Sequence, residues 1–431
     1  MKLKKAGLKV FLRRNDNMGM KVYKNILSNK VRTILTVRPQ TDIVAIKIFI
    51  KVGSINDGNI YGITHFLEHI LFGSSEVYKD VFYEMERYGG VINANTTREY
   101  LTLYTVIGQK NVYKVLPLIL KLIFDFKPTE DDIEKEKKII LQEIMIYQNS
   151  SDAMWDLFAL NYWQHNPLRN PIRGYKDCIK NIDQEQIISH YRDYFYPQNI
   201  VFSFAGDLDF DELNYFLEVN MAKYELRKGN IQCNAMKEII KPGRVYVKRD
   251  LMLTHVFTAF PIPGFLFPKR HYFKALAKLL GEGSFSRLYK NLRGKNGLVY
   301  SVEANVLTFK EEGVFLIYTK CKSEDSKKVI EIIDKEIEII KEEVVTDMEL
   351  DFLKSSYSGG IARNFETALS VCSIYGIEEI LTGEIVIFEE ADKRFSSITV
   401  EDLRSTAKNY FSNPRRIVIG NVLEGEEVNG G

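Results

Sequence analysis

Cysteine is scarce in this sequence. Four stand among 431 residues, Cys178, Cys233, Cys321 and Cys372, and no two are spaced as C-x-x-C. The scatter excludes a disulfide framework and a thiolate metal site, and it favours a reducing, cytoplasmic compartment. Long apolar runs are missing too. Nothing approaches the roughly 18 or more residues of a membrane span, and the apolar stretch 115–126 is broken by Lys121 and Asp125. Net charge is almost absent, at +2. Such balance gives no reason to expect nucleic acid or an acidic membrane as a partner. Histidine is rare, six residues in all, so any two at a ligand spacing are informative.

What is present is an ordinary globular composition, 45% hydrophobic and 27% charged. The length suits two domains of about 200 residues each. Residues 1–14 are basic and free of acids. They lack the serines of an organellar presequence and are too short in apolar residues for a secretory signal. Residues 1–19 are therefore read as an N-terminal extension, with Met18 and Met20 as alternative starts.

The chain repeats itself. Asp183 opens a helical pattern that runs into Tyr194-Phe195-Tyr196-Pro197 and then an apolar strand; Thr399 opens another that runs into Tyr410-Phe411-Ser412-Asn413-Pro414 and a strand. Tyr194 and Tyr410 are 216 residues apart, and the matching glycines Gly90 and Gly297, each followed by two β-rich runs and a helix, are 207 apart. Two similar offsets at the two ends of one unit point to a duplicated domain. The expected fold class is α+β: two duplicated domains, each a mainly antiparallel sheet layered with helices. The expected boundaries are 20–228, a linker at 229–243 that ends in Pro242-Gly243, and 244–431.

The chemistry concentrates in Gly62-Ile63-Thr64-His65-Phe66-Leu67-Glu68-His69-Ile70-Leu71-Phe72. Thr64 reads as the N-cap of a helix. His65 and His69, at i and i+4, share a face. Two imidazoles so placed can hold one Zn²⁺, while Glu68 can reach a bound water without ligating. The pattern is H-x-x-E-H, the mirror of H-E-x-x-H. A third ligand must come from elsewhere. The helix that opens at Thr129 has an apolar stripe of Ile133, Ile140, Leu141 and Ile144, with Glu136 and Glu143 two turns apart on one side. Helix geometry alone leaves both glutamates open.

These residues resemble the inverzincin peptidases of the pitrilysin type, and among them the smaller members such as the mitochondrial processing peptidase β subunit and its bacterial relatives. The resemblance covers nearly the whole chain from about Met20. It rests on the H-x-x-E-H core, on Gly89-Gly90-Val91-Ile92-Asn93-Ala94-Asn95-Thr96, on Glu136 with Gln142-Glu143-Ile144, and on Leu292-Arg293 with Leu298-Val299-Tyr300. It implies that Glu143 ligates one zinc per chain with His65 and His69, and that Glu136 supports it. It implies further that Arg293 and Tyr300 reach the substrate from the second domain. Leu71-Phe72-Gly73-Ser74-Ser75 departs from the common form by one missing residue, and the second half lacks its own H-x-x-E-H.

The expected function is a zinc metalloendopeptidase acting on extended peptides, with Glu68 as general base. Asn93, Ala94, Asn95 and Thr96 would form an exposed edge strand that pairs with substrate, and Phe66 and Phe72 would line an apolar pocket or simply fill the helix core. The resemblance implies a homodimer closing around a chamber. A non-catalytic, peptide-binding subunit of the same fold is the alternative, and a zinc hydrolase of another substrate a third.

Overall fold

The structure is a computed structural model that describes residues 11–14, 20–72, 79–148, 150–224, 229, 237–342 and 345–421. Three features of the sequence fall elsewhere: most of the extension at 1–19, the Gly73-Ser74-Ser75 departure and residues 230–236 of the linker lie outside the described residues. In chain order the first half runs β1 (Phe11–Arg14), β2 (Lys21–Ile26), β3 (Arg32–Val37), β4 (Ile43–Ile50), α1 (Ile63–Phe72), α2 (Lys79–Arg87), β5 (Val91–Thr96), β6 (Leu101–Gly108), α3 (Val112–Phe124), α4 (Glu130–Gln148), α5 (Ala153–Tyr162), α6 (Lys176–Asn181), α7 (Gln184–Tyr194), β7 (Ile200–Gly206) and α8 (Phe210–Met221). The second runs β8 (Gly243–Lys248), β9 (Thr254–Pro263), α9 (Arg270–Gly281), β10 (Val299–Thr308), β11 (Glu312–Cys321), α10 (Ser326–Glu342), α11 (Asp347–Asn364), α12 (Ala368–Thr382), α13 (Phe388–Ser396), α14 (Val400–Tyr410) and β12 (Arg415–Gly420). Among the described residues no helix is long and apolar enough to cross a membrane.

The duplication is written in the strand order. The first sheet runs β1-β2-β3-β7-β4-β6-β5, and the second, read from its β8 edge, runs β8-β12-β9-β11-β10. Strand by strand, β3, β7, β4, β6 and β5 match β8, β12, β9, β11 and β10. Each sheet has one parallel pair, β3 with β7 and β8 with β12. The other matched pairs are antiparallel. The helix before each parallel strand starts in the same way. Asp183 accepts the Gln186 N–H at 2.8 Å, and Thr399 Oγ1 accepts the Asp402 N–H at 3.2 Å, each completing a capping box.

Two compact units form, and they do not follow the expected boundaries. The first comprises Met1–Gln148, Asn170–Asn234 and Ala362–Glu389; the second comprises Asn149–Arg169, Ala235–Ile361 and Glu390–Gly431. Each unit thus takes a helix from the other half of the chain. In the first unit α12 packs on β4 and β7, and in the second α5 packs on β12. The borrowed helices start at Ala153 and Ala368, 215 residues apart, so the exchange itself repeats. Phe158 of α5 stacks on Phe257 at 5.1 Å. Gly376 of α12 lies so close to the Phe49 ring that a Cβ there would fall 2.0 Å from it. Glu379, 1% exposed, is met by Lys24 at 2.6 Å and Arg32 at 3.3 Å. Both helices are apolar nearly all round, and such a sequence states that a helix is buried, but not which sheet will cover it.

Candidate metal centre

Helix α1 is held at its start by a buried carboxylate. Asp57 accepts the Gly62 N–H at 2.7 Å, the Thr64 N–H at 3.2 Å and the Thr64 hydroxyl at 2.7 Å. The helix begins at Ile63, so Thr64 lies inside it and Asp57 does the capping expected of Thr64. A carboxylate suits the positive end of a helix, although burial pushes the Asp57 carboxyl up to about 7 against its hydrogen bonds. Behind Thr64 stands His190 of α7, its Nε2 2.8 Å from the hydroxyl. Burial holds that imidazole neutral, lowered to about 4. With Thr64 donating to Asp57, the His190 Nε2–H donates to Thr64.

One face of α1 presents His65 and His69, and the other sinks Phe66, Leu67, Ile70 and Leu71 into the core. Helix α4 buries Ile133, Glu136, Ile140 and Ile144 and leaves Glu143 at the rim of that stripe. The two helices bring three donors together. Glu143 Oε2 lies 3.6 Å from His65 Nε2 and 3.2 Å from His69 Nε2, and the three donor atoms all lie within 4.8 Å of one another. Two donors bound to one tetrahedral zinc at about 2.0–2.1 Å would stand about 3.3 Å apart. The set is therefore of a size, and of a nitrogen and oxygen chemistry, that fits zinc.

Glu136 and Glu143 divide the His69 ring between them. Glu143 meets Nε2, and Glu136 meets Nδ1 from the other side at 3.2 Å. A carboxylate on the far nitrogen fixes ring orientation and leaves the near one for a metal. The charges differ sharply within the cluster. Burial, reinforced by His69, pushes His65 down to about 3. Burial opposes charge on His69 as well, but its bonds to Glu136 and Glu143 outweigh that and raise it to about 9. Glu143 goes the other way: burial would raise it, yet His69, His65 and Arg173 take it down to about 2.

Glu68 sits one residue before His69, partly buried, and burial raises its pKa. Its Oε2 accepts the Thr96 hydroxyl at 2.5 Å. Thr96 ends β5, the outermost strand of the first sheet, which pairs with β6. Asn93 and Asn95 are exposed on that strand, and Ala94 is half-buried. Phe66 is a correction: it is 0% exposed within the hydrophobic core, so it fills the helix–sheet interior and lines no open pocket. Phe72 packs half-buried against the same core.

Sequence reasoning missed Asp57, His190 and Arg173. The Arg173 Nε donates to Glu143 Oε1 at 2.6 Å, and the guanidinium lies over the Tyr147 ring at 4.0 Å. Arg173 belongs to a loop without periodicity, so no pattern points to it.

Arg293 and Tyr300 belong to the second unit, the metal cluster to the first. Arg293 stands on a π-helical turn, Tyr289–Lys295, a form common at functional sites. Its Nη1 donates to the Tyr300 carbonyl at 2.8 Å, and its guanidinium lies 4.8 Å from the Tyr300 ring centre. Tyr300 is 81% exposed. The β10–β11 register slips between Val299 and Val302, so Tyr300 stands on a bulge, a device that re-aims side chains.

Comparison with known proteins agrees along the chain. Residues 32–176 match the family model for Insulinase (Peptidase family M16), and residues 181–357 match the Peptidase M16 inactive domain. An uncharacterized zinc protease of Rickettsia felis is 28% identical over 406 residues, covering 92% of this chain and 96% of its own. One from Bacillus subtilis is 25% identical over 388 residues, covering 89% and 94%. Among solved structures, a protease from Helicobacter pylori superposes with a TM-score of 0.81 at 22% identity, covering 93% of this chain and 99% of its own. A chain of complex III from Candida albicans has the same fold, with a TM-score of 0.78 at 17% identity and coverage of 92% and 95%. Two adjoining matches to one family, along a chain whose halves share one strand order, lead to a single assignment: this protein belongs to peptidase family M16.

Proposed function

We propose that the protein is a zinc-dependent endopeptidase that hydrolyses extended peptides or unfolded segments. The observation that carries the reading is the meeting of His65, His69 and Glu143 at zinc-ligand spacing, with Glu68 beside them. Zinc held there would supply the Lewis acid that makes water nucleophilic near neutral pH. Glu68 takes the proton of the attacking water and later passes it to the leaving amine. Burial raises its pKa, which makes it a stronger base than an ordinary carboxylate. Thr96 holds one oxygen of the Glu68 carboxylate through its hydroxyl. Asn93 to Thr96 lie on β5, which ends the strand order of the first sheet among the described residues, and offer that edge to an extended backbone. Arg293 and Tyr300 contact the substrate backbone or the developing oxyanion. The family resemblance further supports a homodimer, and the cysteine pattern a cytoplasmic setting.

A non-catalytic peptide-binding subunit is the competing reading. The match of residues 181–357 to a domain described as inactive favours it, and one fold can carry several functions. The intact donor set and base speak for the enzyme. Turnover of a quenched peptide, with zinc content measured alongside, decides. The wild type should cleave, and Glu68→Gln should keep its zinc and fold while losing nearly all turnover. Zinc-loaded wild type with no turnover on any peptide library would leave the binding subunit standing.

A further inference from the structure

We propose that Arg173 is a positioning residue of the metal centre: it holds Glu143 by one oxygen and spans from the start of α1 to α4, fixing the distance between the histidine pair and the carboxylate. The inference rests on the zinc reading above. Three separate features carry it.

The first is the contact. Arg173 Nε occupies Glu143 Oε1 at 2.6 Å, while Oε2 faces the two imidazole nitrogens. A carboxylate held through one oxygen presents the other in a set orientation. The second is the platform under the guanidinium. It lies 4.0 Å from the Tyr147 ring centre, and Tyr147 is one turn beyond Glu143 on α4. The same helix therefore presents the carboxylate and the ring that steadies its partner.

The third is the root of the side chain. Backbone 173–174 packs against backbone 61–62 with no space for a Cβ. A Cβ on Gly62 would meet the Arg173 carbonyl at 2.7 Å, and one on Gly174 would meet the Tyr61 carbonyl at 2.1 Å. Both glycines also hold positive φ, 93° and 71°, which a side chain disfavours. Arg173 is thus rooted at the residues that lead into the His65–His69 helix, and its tip is fixed on the helix of Glu143.

Charge and position act oppositely here. A cation beside a metal ion repels it, so if Arg173 acted only as a charge, its removal would tighten zinc binding. As a positioning residue its removal loosens binding, in the way that loss of an outer hydrogen-bond partner costs about 10–100-fold in metal affinity. The test is competition of the zinc-free full chain with a chromophoric chelator, for wild type, Arg173→Gln and Tyr147→Leu. Thermal melting of each zinc-free protein is measured alongside. The expected result is a loss of about 10–100-fold for Arg173→Gln and a smaller loss for Tyr147→Leu, with melting of the zinc-free proteins little changed. Equal or tighter zinc binding by Arg173→Gln overturns the proposal. If that variant does not fold, Tyr147→Leu with wild-type affinity overturns it instead. Wild type that takes up no zinc sinks the zinc reading and the inference together, whereas zinc-binding wild type beside an unaffected variant sinks the inference alone.

Discussion

At neutral pH the three candidate donors carry different charges. His65 is neutral, held down to about 3, Glu143 is ionised, held down to about 2, and His69 is protonated, held up at about 9. A metal can enter only by displacing the His69 proton. Zinc uptake near pH 7 should therefore release about one proton per ion, and apparent affinity should rise about tenfold per pH unit until it levels off above about 9. The sign follows from His69 alone: its raised pKa makes the proton a competitor at every pH below that value. Calorimetry in buffers of different ionisation enthalpy measures the count, and a count near zero would mean that His69 is neutral before the metal arrives. Tyr300 supports a second test. It is exposed on a bulge rather than packed in a core, so Tyr300→Phe should leave stability and zinc content alone and lower kcat by roughly ten- to a thousandfold. Unchanged kcat would remove its hydroxyl from the mechanism. Much of this site was legible in the sequence, because i and i+4 on a helix is a geometric statement about His65 and His69. Periodicity could not separate Glu136 from Glu143, since both lie on one side of α4; what separates them is which nitrogen of His69 each one faces. Arg173 was illegible, because its place depends on a backbone approach between Gly62 and Gly174.

At the scale of elements, the exchanged helix α12 bears on stability. Gly376 gives α12 its close seat on β4, with Phe49 immobile beneath it at 0% exposure. Alanine there gains up to about 1 kcal/mol of helix propensity, but it drives a methyl group into a buried ring, and overpacking of this kind costs about 1–3 kcal/mol. Gly376→Ala should thus destabilise by a net of about 1–2 kcal/mol, read as a lower urea midpoint at unchanged slope. A midpoint at or above wild type would show that α12 can shift away from Phe49 at little cost. Strand order and helix caps were foreshadowed by the offsets of Tyr194 and Tyr410 and by Asp183 and Thr399. The exchange was not: α5 and α12 are apolar nearly all round, which says that each is covered but not by what, and the choice of sheet is made by shape, at Gly376 and Phe257, rather than by pattern.

At the scale of the molecule, the linker at 229–243 looks in sequence like a place to divide the chain, and the compact units say otherwise. A fragment 20–228 would lack α12, leaving the β4 and β7 face and Arg32 without their covering helix and Glu379. It should be poorly soluble and hold zinc weakly when expressed alone, and it should recover when the remainder of the chain is co-expressed; a well-folded, monomeric fragment with wild-type zinc affinity would contradict this. The same exchange orders events while the protein is being made. The donors of the metal cluster are all synthesised by Glu143, in the first third of the chain. The helix that seals their unit ends at Thr382, 239 residues after Glu143. From the synthesis of β7, which ends at Gly206, until α12 emerges, the first sheet must wait with one face open, so the nascent chain depends on whatever shields apolar surface there in that interval.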